Sequence, residues 1–186
     1  MSEASTAHRL LVATPALLDP NFARTVVFMV EHTSVGALGI VLNRPSETVV
    51  DEVLPEWGSL AVPPASVFVG GPVQVGEAVI GLGRARAVVP GAGWEPLLGA
   101  IGTVDLGVSP LDAHPAMEAV RVFAGYAGWG PDQLDGELEQ GGWYVVDADP
   151  ADLLTHAPGD LWRRVLRRQG GDLAVAANHP GDPSVN

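Results

Sequence analysis

The stretch Gly125-Tyr126-Ala127-Gly128-Trp129, followed by Pro131-Asp132-Gln133-Leu134-Asp135-Gly136-Glu137-Leu138, compresses a strand end, a turn and a helix start into one short run. Just upstream, Val120, Val122, Ala124 and Tyr126 share one face of a strand, because side chains alternate across a pleated chain. Downstream, Gly130 can act as N-cap, and Pro131 takes the first helical position, where its missing N–H costs nothing. Asp132 then lies near the positive helix end. Trp129 can staple onto Leu134, and Gly141 supplies the stop.

Working outward, Leu10 to Ala13 reads as a first strand and Asp19-Pro20-Asn21 as a turn. Val26 to Val30 is an unbroken apolar run without alternation, which predicts a central strand covered on both faces. Leu38 to Leu42 is a second buried strand, paired with the first as a hairpin across His32 to Gly36. Thr48 and Asp51 predict a capped helix. Its stripe is Val50, Val53, Leu54 and Trp57, and Pro55 should end or kink it. Val67-Phe68-Val69 is a third buried strand that stops at Gly70-Gly71-Pro72. Glu77 to Leu82, Ala87 to Val89, Ile101 to Val108 and Trp143 to Val146 read as further strands, and Gly91 to Gly99 as a loop anchored by Trp94. Asp149-Pro150 opens a short helix; Asp160 caps the last one, and Gly170-Gly171 ends it. The tail 177–186 looks frayed. Strands and helices do not alternate strictly, which favours an α+β fold with a mixed sheet over a doubly wound one. With no fixed repeat and no long linker, residues 1–186 read as one domain with an ordered core over about 8–174.

The net charge is −12, from 22 acids and 10 bases, and every base is arginine. Without lysine there is no Walker-type phosphate loop and no Schiff base. The acidic balance weighs against direct nucleic-acid binding, which needs a basic face. The absence of cysteine removes disulfides, thiolate catalysis and cysteine-ligated zinc, and fits a cytoplasmic chain. Met1 to His8 has no basic and no apolar signal region, and no apolar run is long enough to span a bilayer, so neither export nor a membrane partner is expected.

Few motifs carry chemistry. Arg44, in Asn43-Arg44-Pro45, can grip a carboxylate or phosphate bidentately, or satisfy carbonyls and an internal acid such as Glu31. Gly70-Gly71 can present N–H groups to an anion, but tight-turn geometry explains the pair better. His32 follows Glu31 at a strand end, and no HxxxH or HExxH spacing points to a metal; no cofactor is expected. No serine sits in a GxSxG elbow. Asp135 and Glu139 are an i, i+4 like-charge pair, ordinarily a solvated face. Arg163, Arg164, Arg167 and Arg168 fall on one arc at about 100° per residue, opposite Trp162, Val165 and Leu166. Those arginines complement the helix C-terminus or meet an acidic partner.

Together these residues resemble the YqgE/AlgH family of bacterial proteins. The N-terminal match runs through Pro15, Asp19-Pro20, Phe22, Arg24-Thr25-Val26-Val27, Glu31-His32, Gly36 to Gly39 and Asn43-Arg44-Pro45. Gly70-Gly71-Pro72-Val73 follows, then Gly125 to Trp129 with Gln133-Leu134, Glu137 and Trp143. The match covers about Leu10 to Leu166. It departs at Gly142, where the family tends to asparagine, and at Ser109 to Pro115, broken by proline where relatives carry a short helix. The resemblance implies an α+β fold whose strongly curved, barrel-like sheet carries three to five helices. It implies no catalytic residue set, and some relatives carry the label of transcriptional regulator. The expected function is therefore non-enzymatic binding or regulation of a small anionic ligand or a protein partner. The expected ligand groove involves Asn43, Arg44, Gly70, Gly71, Tyr126 and Trp129, and the expected partner face Arg163, Arg164, Arg167 and Arg168. The alternative is an enzyme for an anionic small molecule, with Arg44 as clamp and Glu31 or His32 as acid/base.

Overall fold

The computed structural model describes residues 5–89 and 91–181. In chain order its strands are β1 (Arg9–Ala13), β2 (Val26–Thr33), β3 (Gly36–Val41), β4 (Pro45–Val49), β5 (Ser66–Val69), β6 (Val79–Ala85), β7 (Trp94–Leu98), β8 (Ile101–Val104), β9 (Met117–Ala124), β10 (Ala127–Trp129) and β11 (Trp143–Asp147). The helices are α1 (Val50–Val53), α2 (Pro55–Gly58), α3 (Pro110–Ala113), α4 (Gln133–Glu139), α5 (Pro150–Leu153), α6 (Pro158–Gln169) and α7 (Gly171–Ala176).

The strands divide between two sheets. The first is antiparallel throughout, in the order β10-β3-β2-β1-β11. β2 stands at its centre, as the unbroken apolar run predicts, and Val26 to Met29 are fully buried. β1 pairs on one side with β2, Leu10 opposite Phe28, and on the other with β11, Leu10 opposite Val146. The second sheet runs β4-β5-β9-β6-β8-β7, with one parallel pair, β5–β9. The fold is thus a mixed α+β arrangement, but its strands form two sheets, neither closed, rather than one barrel-like sheet.

Alternation assigns the core. Leu10 and Val12 join Phe28, Ile40, Phe68, Leu82 and Phe123 beneath Leu161, Trp162, Val165 and Leu166 of α6. This cluster takes side chains from both sheets. Leu11 and Ala13, on the opposite face of β1, pack with Val27, Met29, Trp129, Leu134 and Trp143. The outer face of the second sheet is covered by Val50, Trp57 and Trp94. Each fully buried large apolar side chain contributes roughly 1.5–3 kcal/mol before entropy.

Several local expectations shift. Among the described residues seven helices replace three to five, because four of them are single four-residue turns. Thr48 lies in edge strand β4 instead of capping a helix, and Pro55 splits the expected helix into α1 and α2. Val50 and Trp57 are buried as the stripe requires, but Val53 is 52% exposed. Glu77 and Ala78 form a turn on the carbonyl of Gln74, so β6 begins at Val79; it runs to Ala85, and 87–89 is not a strand. The expected loop 91–99 contains β7. Trp94 does anchor it, donating its indole N–H to the Gly83 carbonyl (2.9 Å). As an edge strand, β7 tolerates Pro96. β8 stops at Val104, short of Val108. Pro110 starts α3 at N1, with Ser109 as N-cap, rather than breaking the chain. Ala157, not Asp160, is the N-cap of α6. At the C-terminal end Ala177 is buried, and residues 182–186 of the expected frayed tail lie outside the described residues.

Candidate functional site

Five of the six expected ligand residues meet where the chain passes between the sheets. It leaves the first sheet after β3, turns through Leu42, Asn43 and Arg44, and enters the second as β4. It returns at Gly125-Tyr126, between β9 and β10. Backbone bonds close this seam. The Val41 N–H donates to the Gly70 carbonyl (2.8 Å), the Val69 N–H to the Arg44 carbonyl (2.8 Å) and the Gly70 N–H to the Ala124 carbonyl (2.9 Å). Val73 and Tyr126 exchange both bonds, at 3.0 and 3.1 Å. A Cβ on Gly71 would lie 2.1 Å from the Tyr126 carbonyl carbon, at a φ of +152°; one on Gly70 would lie 2.4 Å from the Gly125 oxygen. These glycines therefore let two backbones touch.

The polar side chains at the seam hold backbone as well. Asn43 Nδ2 donates to the Arg24 carbonyl (2.9 Å), and its Oδ1 accepts from the Val26 N–H (3.0 Å). Arg44 donates from Nη1 to the Pro20 carbonyl (2.8 Å) and from Nη2 to the Ala23 carbonyl (3.0 Å). Burial lowers its pKa, and the acid opposing that shift is Asp19, not Glu31. Of the two roles open to Arg44, the structure displays the carbonyl-binding one.

Trp129 reaches the same 19–25 turn through Phe22, whose ring centroid is 6.1 Å from that of Trp129 and 5.5 Å from that of Trp143. Glu137 Oε2 accepts both indole N–H groups, from Trp129 at 3.0 Å and from Trp143 at 2.9 Å. One carboxylate on α4 thus clamps β10 to β11. The helix begins at Gln133 rather than Pro131, and the Gln133 Oε1 accepts the Gly130 N–H (3.0 Å). Beside the clamp lies a groove of about 230 Å³ lined by Glu31, Thr33, Val35, Leu38 and Trp129; it takes in none of the other five expected residues. His32 does not face bulk solvent: its side chain is 10% exposed. Nδ1 accepts the Thr6 N–H (3.3 Å), and Nε2 lies 3.6 Å from Asp135. Asp135 therefore faces His32 as well as solvent.

A larger cavity, about 640 Å³, opens between β6 and the α5–α6 connection. Its polar wall is Arg84, Asp149, Asp152, Thr155, His156, Arg164 and Arg168. Asp152, its side chain 3% exposed, accepts from Arg168 at 2.9 and 2.7 Å and from the Asp149 N–H at 2.9 Å, completing the α5 capping box. The bond to Asp152 raises the Arg168 pKa. Arg164 donates to the Thr155 hydroxyl (2.8 Å) and pairs with no carboxylate among the described residues. Arg84 shares Glu118 with Arg86, which holds it more closely, 2.7 Å against 3.4 Å. Behind the wall, Arg121 is fully buried and donates to the carbonyls of Thr155, Val62 (3.2 Å) and Pro63 (2.8 Å), stacked 4.2 Å over Phe68. Burial pulls its pKa down to about 10, so it stays charged at neutral pH. The four α6 arginines consequently divide. Arg164 and Arg168 line the cavity, Arg163 lies close enough to Arg24 to lower its pKa further after burial, and Arg167 is exposed.

Residues 10–174 match the family model described as AlgH-like. The chain belongs to the AlgH-like family. It is 52% identical to a UPF0301 protein of Streptomyces coelicolor, over 96% of this chain and 94% of that one. A UPF0301 protein of Mycobacteroides abscessus is 47% identical, over 98% and 91%. Among solved structures, a Corynebacterium diphtheriae protein superposes with a TM-score of 0.86 at 32% identity, covering 95% of this chain and 93% of the other. The AlgH protein of Pseudomonas aeruginosa gives 0.67 at 32% identity, covering 98% of both. In this AlgH-like chain the residues that carry the resemblance are architectural: seam glycines, Asn43 and Arg44 under the crossover, and the Trp129–Glu137–Trp143 clamp. The cavity residues Arg84, Asp152 and His156, and Arg121 behind them, carry no motif. The one available signal was Arg121 itself, a charge inside the apolar run Val120 to Ala124.

Proposed function

We propose that this protein is a non-enzymatic cytoplasmic binding protein with a regulatory role, and that it holds an anion in the arginine-lined cavity. The observation that carries this reading is Arg164, a half-buried guanidinium whose only partner among the described residues is a hydroxyl, in a chain of net charge −12. A cation so placed in an acidic protein ordinarily finds a carboxylate; here its donors point to an acceptor supplied from outside. The volume lies within the range of small-molecule sites. The cavity, rather than the seam, is the better place for the anion because Arg44 already donates to two carbonyls. Among the described residues no helix is long and apolar enough to cross a membrane, and the cytoplasm accords with the absence of cysteine.

Native mass spectrometry of protein purified from its own host tests the reading. A retained anionic mass that disappears in Arg164→Gln supports it. A retained mass indifferent to Arg164→Gln and lost in Arg44→Gln would return the site to the seam. For a protein partner, Arg163 and Arg167 are the available pair, since Arg164 and Arg168 face the cavity. Charge reversal at both should release any partner bound there.

A further inference from the structure

Resting on that reading of the cavity, we infer that its ligand class is the soluble phosphate monoester of a small polar molecule. The charge inventory comes first. Both oxygens of Asp152 are occupied by Arg168 and the Asp149 N–H, and Asp149 Oδ1 accepts the Ala151 N–H. Asp152 is thus fully engaged internally and Asp149 through one oxygen, and the other charged groups of the wall able to act on an anion are donors. Those donors come from three separate pieces of chain: Arg84 on β6, His156 on the α5–α6 connection, Arg164 on α6.

A planar carboxylate is satisfied by one coplanar guanidinium fork, whereas a terminal phosphate offers three oxygens in different directions and accepts from several elements at once. Charge points the same way. In the wall the arginines Arg84, Arg164 and Arg168 outnumber the acids Asp149 and Asp152, so a dianionic head gains more there than a monoanion does. Arg84 is the adjustable member, since Glu118 is bound more tightly by Arg86 and can release Arg84 to a ligand.

The rest of the wall limits what the phosphate is attached to. Among the described residues His156 is its only aromatic ring, so the cavity has no large aromatic platform for a nucleobase. Pro150, Ala151, Leu154 and Ala157 are its apolar part, a small surface suited to a short carbon skeleton. Among the described residues, none of the large apolar side chains that stand exposed borders the cavity, which favours a soluble ester over a lipid headgroup in a bilayer.

The experiment is isothermal titration of the full-length protein at constant ionic strength with glucose 6-phosphate, ribose 5-phosphate, AMP and citrate, and sedimentation with phosphatidic-acid vesicles. The proteins compared are wild type, Arg164→Gln and Arg163→Gln, each first checked for unchanged apo Tm. Expected are saturable binding of the two sugar phosphates, AMP no tighter than ribose 5-phosphate, at least a tenfold loss in Arg164→Gln and no loss in Arg163→Gln. Citrate binding that depends on Arg164, with every phosphate failing, would overturn the phosphate assignment and leave the anion cavity standing. Arg164-dependent binding of vesicles but not of soluble esters would also overturn it. If no probe binds, or Arg164→Gln binds them all like wild type, both readings fall together.

Discussion

Replacing Glu137 by alanine tests the clamp between β10 and β11. Oε2 accepts two indole N–H groups, and Trp129 and Trp143 are 6% and 5% exposed. Removing the carboxylate leaves both donors without a partner in sites that water reaches poorly. An unsatisfied buried donor costs about 1–3 kcal/mol. Glu137 itself is half-buried, so some water can enter, and a total of about 2–4 kcal/mol is expected. Glu137→Gln keeps an acceptor oxygen and loses the charge, and should cost only about 1–2 kcal/mol. Urea unfolding followed by tryptophan fluorescence measures both, since two of the five tryptophans report directly on the clamp. A double-mutant cycle with Trp143→Phe, which deletes one donor while keeping an aromatic ring, should show a coupling above about 0.5 kcal/mol. If Glu137→Ala shifts stability by less than about 0.5 kcal/mol, the range of an ordinary surface change, the clamp is not a structural element.

Gly71→Ala should destabilise by about 3 kcal/mol or more, because its Cβ meets backbone at 2.1 Å and its φ is +152°; a soluble variant with wild-type Tm would refute the seam. Arg121→Met fills the space but leaves the carbonyls of Thr155, Val62 and Pro63 without their donor, so thermal unfolding should reveal a loss of about 2–4 kcal/mol. An unchanged or raised Tm would mean that burial of the charge outweighs its bonds. Glu118 is held below its ordinary value of 4.5, first by its bond to Arg86 and then by the charges of Arg86 and Arg84. A depressed carboxylate stabilises the fold above its unfolded value, and that contribution is lost as pH falls through the folded one. Stability of Glu118→Gln should therefore decline less steeply than wild type below pH 4.5 in acid titrations followed by circular dichroism.

The sequence was most legible where a local pattern had one physical meaning. Val26 to Val30, apolar without alternation, had to be covered on both sides, and β2 is the central strand of its sheet. Asp149 ahead of Pro150 could hardly be other than a cap. The seam was hidden because Gly70-Gly71 looks the same whether it makes a turn or admits another backbone; its partner Tyr126 lies far along the chain. Alternation in one strand also cannot reveal that the chain changes sheets at Gly125. Arg44 kept two roles open, and only the positions of the Pro20 and Ala23 carbonyls separate them. The cavity was illegible because the arginine arc of α6 marks Arg164 and Arg168 without saying what they face, and Arg84 and His156 reach them from segments with no motif, by packing alone.

The pairing of β1 with β11 has a consequence for synthesis. Leu10 to Ala13 are synthesised well before the strand that seals their outer edge, because β11 follows β1 only after most of the intervening fold. At translation rates of about 5–20 residues per second, roughly ten seconds pass before that edge finds its mate. Through that interval an apolar ribbon stands open to neighbouring nascent chains. Dependence on a holdase during translation, and a slow refolding phase sensitive to protein concentration, follow from that single long-range pairing.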